Sequence, residues 1–164
     1  MNNQIGILRK FRTNFASFEE IWLFTRIFLL VTVLPPMVRL LSLPRLMKVL
    51  TPPDTKIHKN LDIERSKDKI VKFTDYILNH NFWIYSRTCL TRSLVLYHFL
   101  RRFGINVYVC FGVRYNEDSS DKQEKKKLVG HAWLLYKGNI FLEKKVDITS
   151  TYRITYCFPD NKTM

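Results

Sequence analysis

The residues of this chain best suited to nucleophilic and acid–base chemistry are its 3 cysteines and 4 histidines. Cys89, Cys110 and Cys157 form no C-x-x-C pair and show no Cys/His spacing of a zinc site. An odd number without a pairing pattern predicts free thiols, a reducing compartment and a cytoplasmic location. No metal or other cofactor is expected. Cys89 stands apart because it opens a stretch, Cys89 to Gly104, with helical periodicity. Leu90, Ser93, Leu94, Leu96, Phe99 and Leu100, with neighbours, cover well over half of a helical circumference, which places the helix inside a core. Gly104 can take the left-handed conformation that ends a helix, and Arg101 and Arg102 suit the negative end of its dipole. The cysteine lies at the opposite end, where unpaired backbone N–H groups favour negative charge on sulfur, the setting of a cysteine nucleophile.

A nucleophile needs a base. His98 lies on the same helix nine residues on, roughly 13 Å away at the helical rise, and is out of reach. His58 in a proline-rich linker and His80 at a helix end read as surface residues. His131 lies in an apolar strand, Val-Gly-His-Ala-Trp-Leu-Leu, with Gly130 and Ala132 leaving room beside its ring. A helix-borne cysteine followed by a strand-borne histidine is the chain order of papain-like and transglutaminase-like sites, where a polar residue of the next strand orients the imidazole. Glu143, just past the Lys137-Gly138-Asn139 hairpin, fits that place best, with Asp147 as the alternative. Trp133 beside the histidine and Trp83 in the connector before the helix are candidates for substrate contact.

The elements that would carry these residues follow from the pattern. Apolar residues at 46% and charged residues at 25% are ordinary for a globular chain of 164 residues. We expect one compact unit: a helical hairpin and linker over 1–60, and a core over 61–164. Ser17 and Glu20 form a capping box before the apolar run Ile21 to Leu34. Pro35 and Pro36 are expected to end that helix, and a second one is expected over Met37 to Leu50. Fourteen apolar-rich residues containing Arg26 fall short of the roughly 20 needed to span a bilayer. A buried or groove-lying helix is therefore expected, with peripheral membrane contact through residues 21–34, and after it a true span, as the alternatives. Asp62 to Asn79 reads as an amphipathic helix and Ile105 to Tyr115 as an alternating strand. Residues 116–127 are polar and charged. Leu128 to Tyr136 and Ile140 to Lys144 read as a hairpin, and Val146 to Phe158 as the source of one more strand through Tyr152, Ile154 and Tyr156. The predicted fold class is α+β, with a central Cys-bearing helix packed on a small antiparallel sheet behind an N-terminal helical region.

Four motifs in order, Cys-Leu-Thr-Arg-Ser-Leu at 89–94, Leu-Arg-Arg-Phe-Gly at 100–104, Phe-Gly-Val-Arg at 111–114 and Gly-His-Ala-Trp at 130–133, carry a further signal. Together with the leucine- and arginine-rich region 21–50, they make the chain resemble the transglutaminase-like leader peptidases of lasso peptide biosynthesis. The resemblance implies a transglutaminase- or papain-like core and a cysteine protease that removes the leader of a ribosomally made precursor peptide. It implies Cys89 as nucleophile, His131 as base and Glu143 where the family usually has aspartate. It also implies a separate leader-recognition protein and a lasso cyclase as partners. Two other readings remain beside it: a transglutaminase-like amide-modifying enzyme, and a non-catalytic binding protein for peptide or nucleic acid drawing on the formal charge of +13. No RRM, KH, zinc-finger or helix-turn-helix pattern is visible, so nucleic acid is not expected as a partner.

Overall fold

The computed structural model describes residues 18–53, 63–79, 89–115 and 128–159. At its centre the Cys-bearing segment forms a helix, numbered α4 in chain order, over Cys89–Arg102, and eight of its 14 residues are buried. It ends as the glycine predicts: Gly104 takes φ 82°, its N–H reaches the Arg101 carbonyl at 3.0 Å, and the Ile105 N–H reaches the Leu100 carbonyl at 2.9 Å. This pair of bonds is a Schellman motif, which satisfies carbonyls the helix would otherwise leave open.

Three helices precede it, α1 (Phe18–Leu40), α2 (Leu43–Leu50) and α3 (Ile63–Asn79). The expected break at Pro35 and Pro36 is not there; α1 runs through both prolines to Leu40. Each proline removes an N–H that would have bonded four residues back. Val31 and Leu34, fully buried in the main core, hold the helix across the gap, and the Leu41 N–H returns to the Met37 carbonyl at 2.9 Å. Packing outweighs local propensity at this point. The chain turns instead at Ser42, the N-cap of α2, with Pro44 inside the first turn, where a missing N–H costs nothing. On α3, Ile70, Phe73, Ile77 and Leu78 form the buried side.

After α4 come β1 (Val107–Tyr115), β2 (Leu128–Tyr136), β3 (Asn139–Phe141), α5 (Val146–Ser150) and β4 (Arg153–Phe158). Among the described residues the strands form one antiparallel sheet in the order β3-β2-β1-β4. Helices plus this four-stranded sheet make the α+β fold expected. Two segments differ from expectation. The strand foreseen over 140–144 stops at Phe141 because Leu142 at φ 60° turns the chain out of the sheet. Val146 to Phe158 divides into a short helix and a strand rather than a strand alone.

Alternation gives the sheet two different faces. Val107, Val109 and Leu134 join the large core with the helices. Cys110, Trp133 and Leu135 form a small second cluster on the other face, with Tyr152 and Cys157 against it. Here a further expectation is corrected. The β1–β4 register sets Cys110 opposite Cys157, with Cα atoms 4.1 Å apart, and the two form a disulfide. A pairing across 47 residues depends on strand register and leaves no local mark in the sequence. The inference from unpaired thiols to a reducing compartment loses its premise.

Candidate active site

His131 lies on β2, on the same face as Trp133 and Leu135, opposite Gly112 of β1. β3 pairs with Leu134, Leu135 and Tyr136 only, so among the described residues no strand covers the other edge of β2 beside the histidine. The chain leaving β3 comes in there and brings Glu143 and Thr149. From the other side, α4 is fastened to β2 by Ser93, whose Oγ donates to the Ala132 carbonyl at 2.9 Å, one residue from His131. Ser93 follows Cys89 by four residues, one turn along the same face. The outcome is a cleft of about 350 Å³ whose lining includes Cys89, His131, Glu143, Arg92, Asp75 and Thr149.

One imidazole nitrogen faces an acid and a hydroxyl. Nε2 lies 3.6 Å from Glu143 Oε2 and 3.5 Å from Thr149 Oγ1. The Thr149 hydroxyl donates its proton to the Lys145 carbonyl at 3.0 Å, so toward the ring it can only accept. Both neighbours therefore favour the tautomer with hydrogen on Nε2, leaving Nδ1 as the basic nitrogen. Aromatic rings fix the plane: Trp133 stacks on His131 at 5.8 Å and 18°, and Tyr152 packs at 5.1 Å with the Arg114 guanidinium 5.0 Å from its own ring centre. Gly112 makes room for the indole. A Cβ there would stand 2.7 Å from Trp133 Cη2 and 2.8 Å from the Arg153 carbonyl oxygen.

Arg92 organises the acids. Its guanidinium binds both oxygens of Asp75, at 2.7 and 3.2 Å, and donates to the Leu142 carbonyl at 2.9 Å. Glu143 Oε1 is farther, at 3.9 Å. The two-bond geometry commits the arginine's charge chiefly to Asp75, and Glu143 keeps its other oxygen for the histidine. The bond to Leu142 also pins the turn from which Glu143 projects.

Of the residues singled out in the sequence, Cys89, His131 and Glu143 come together on this cleft. Cys89 is the free thiol among the described residues, half-buried at the first position of α4. No hydrogen bond joins it to His131 there, and such bonds often close only when substrate is bound. Asp147 is exposed in the first turn of α5 and is not among the residues lining the cleft. Trp133 does not contact the cleft either: it is 2% exposed, so its expected role in touching substrate is corrected to packing behind the histidine. Trp83, His58 and His80 lie outside the described residues. His98 is elsewhere, with Nδ1 2.7 Å from the Leu50 carbonyl oxygen. Asp75, Arg92, Thr149 and Tyr152 were not foreseen. Arg92 carried a usable signal, being three residues from Cys89 on one helix face. Asp75 was one charge among many on α3, and Thr149 had no signal at all.

A sequence model described as the transglutaminase-like superfamily matches residues 31–156, from within α1 into β4. No curated protein and no solved structure matches the chain.

Proposed function

Because the chain belongs to the transglutaminase-like superfamily, whose enzymes are typically cysteine-protease-like or modify amides, we propose that it is a cysteine peptidase removing the leader from a lasso peptide precursor. The observation that carries this reading is the convergence of Cys89, His131 and Glu143 on one cleft, with the histidine's Nε2 turned to the carboxylate. The four motifs shared with lasso leader peptidases, spaced from Cys89 to Trp133, support the substrate class.

In the proposed reaction, the Cys89 thiol gives its proton to His131 Nδ1 and the sulfur attacks the scissile carbonyl. The oxyanion forms beside the N-terminus of α4, where the Cys89 backbone N–H can stabilise it. The proton on Nδ1 passes to the leaving amine as the C–N bond breaks, and the leader remains as a thioester on sulfur. His131 then takes a proton from water, which attacks the thioester and releases the leader acid and the thiol. Through both steps Glu143 faces the imidazolium from the Nε2 side. A separate leader-recognition protein presents the precursor, and a cyclase receives the core peptide, in the cytoplasm where the precursor is made.

The test is leader release followed by mass spectrometry, with precursor and recognition protein supplied. Cys89→Ala is expected to leave the precursor intact while melting like the parent protein. Retained cleavage by that variant would overturn Cys89 as nucleophile. A labelled amine replacing water in the product would instead favour the amide-modifying reading.

A further inference from the structure

Helix α1 is apolar on two sides, and among the described residues only one of them is buried. Ile27, Val31 and Leu34 are fully buried in the main core. On the opposite side Phe18, Trp22, Leu29, Val33 and Leu40 recur at intervals of four and seven residues, which aligns them as one stripe. They are between 47% and 83% exposed. Thr25 fills a gap in this stripe and Thr32 lies at its margin, but each turns its hydroxyl back onto the helix, to the Ile21 and Phe28 carbonyls, both at 2.8 Å. Their hydrogen bonds need no water, so the stripe keeps its polar groups satisfied in an apolar medium.

Glu19 and Glu20 lie in the first turn of α1, Glu20 paired with Lys69; beyond that turn the charge has one sign. From Ile21 to Pro53 the sequence holds Arg26, Arg39, Arg45 and Lys48 and no aspartate or glutamate. Arg39, Arg45 and Lys48 are exposed, and Val49 on α2 is 62% exposed. We propose that the outer face of α1, with the basic face of α2, docks in the plane of an anionic phospholipid membrane. The apolar stripe enters the headgroup boundary and the three cations meet lipid phosphates. α1 is 23 residues long and contains a stretch of 18 residues with a mean hydropathy of 1.9, enough to cross a bilayer by length and composition. Crossing would strip Ile27, Val31 and Leu34 out of the core they share with α4, so the fold holds the helix at the surface. This inference is independent of the reaction assigned to the cleft.

The experiment uses the full chain with sedimented vesicles of phosphatidylglycerol in phosphatidylcholine, and of phosphatidylcholine alone. Binding is expected on the anionic vesicles only, weakening as salt rises. Leu29→Glu with Val33→Glu should reduce it at least about tenfold, with the melting temperature unchanged because both side chains point outward. Arg45→Glu with Lys48→Glu, independent of the stripe, should do likewise, since each cation near such a surface contributes a factor of about five. Bound protein should be released by alkaline carbonate. The proposal is overturned by equal binding to neutral vesicles, by unchanged binding of either double variant, or by protein that resists the carbonate wash. A dimer in light scattering that Leu29→Glu with Val33→Glu splits, without vesicle binding by the parent, would assign the stripe to a second copy and overturn it as well.

Discussion

Cys89 opens α4 on the edge of a cleft, half-buried and with a free thiol, whereas Cys110 and Cys157 face each other across β1 and β4 and are closed as a disulfide. The same atom type has two fates because of what lies opposite. Cys110 is fully buried, and the antiparallel register offers it another sulfur. Cys89 shares its cleft with a histidine-bearing strand and sits half-buried at the first position of its helix. On the proposed reading, position in the fold, not residue type, separates fastening from chemistry here.

If that separation is right, loss of the Cys89 sulfur ends turnover, as does loss of the His131 imidazole. Next in size is the acid. Glu143→Ala should lower the rate about a hundredfold or more, the scale of a lost partner to an acid–base group, while Asp147→Ala, exposed and away from the cleft, should leave it unchanged. Single-turnover rates of both variants decide the matter. A slow Asp147→Ala enzyme beside a fast Glu143→Ala enzyme would mean that the orienting acid is misassigned.

On the fastening side, Cys110→Ala with Cys157→Ala removes a link that closes a loop of 47 residues. Loop entropy places its contribution at up to about 4 kcal/mol. Denaturant midpoints for the parent, with and without a thiol reductant, and for the double variant should show the loss. The rate per folded molecule should not change. In a reducing cytoplasm, where the proposed function places the chain, the pair would exist as thiols. The double variant therefore also reports whether the fold stands without the link. A variant that stays folded yet loses leader release would join the two kinds of cysteine that the structure keeps apart.

Gly112 ties the two regions together, because β1 passes both the disulfide and the histidine. Gly112→Ala forces its new methyl group against the indole of Trp133 and the Arg153 carbonyl oxygen. The carbonyl is backbone and the indole is buried, so neither yields easily. A destabilisation of about 1–3 kcal/mol is expected from such overpacking, with a fall in rate, since the same indole stacks on His131. Urea unfolding and leader release on one preparation would measure both, and an unchanged midpoint would show that the indole can move aside.

What could be read from the sequence was local. α4, its glycine end and the strands β1 and β2 follow from periodicity, and Cys89 and His131 from residue type and chain order. Glu143 was placed by the hairpin that precedes it. What could not be read depends on contacts between distant segments. α1 crosses two prolines because Val31 and Leu34 are held by the core. Cys110 meets Cys157 only through strand register. Arg92 meets Asp75 across 17 residues between two helices, and the five residues of α5 are too few to show a helical period.

The smallest expected effect contrasts the histidines as the cysteines were contrasted. His98, packed edge-on against Phe99, has its pKa lowered chiefly by burial and further by Arg102 and Arg26, while the bond to the Leu50 carbonyl pulls the other way. The unfolded chain, with an ordinary histidine value near 6.5, then binds this proton more readily than the folded one. Stability from this group is present in full above that value, falls as pH drops below it toward the folded value, and levels off beneath. Comparing the parent with His98→Gln, which can still donate to Leu50, between about pH 7 and 5 isolates the effect from the carboxylates, which titrate lower. The parent should lose more stability than the variant across that window. Equal losses would mean that His98 is as free to take a proton in the fold as in the unfolded chain.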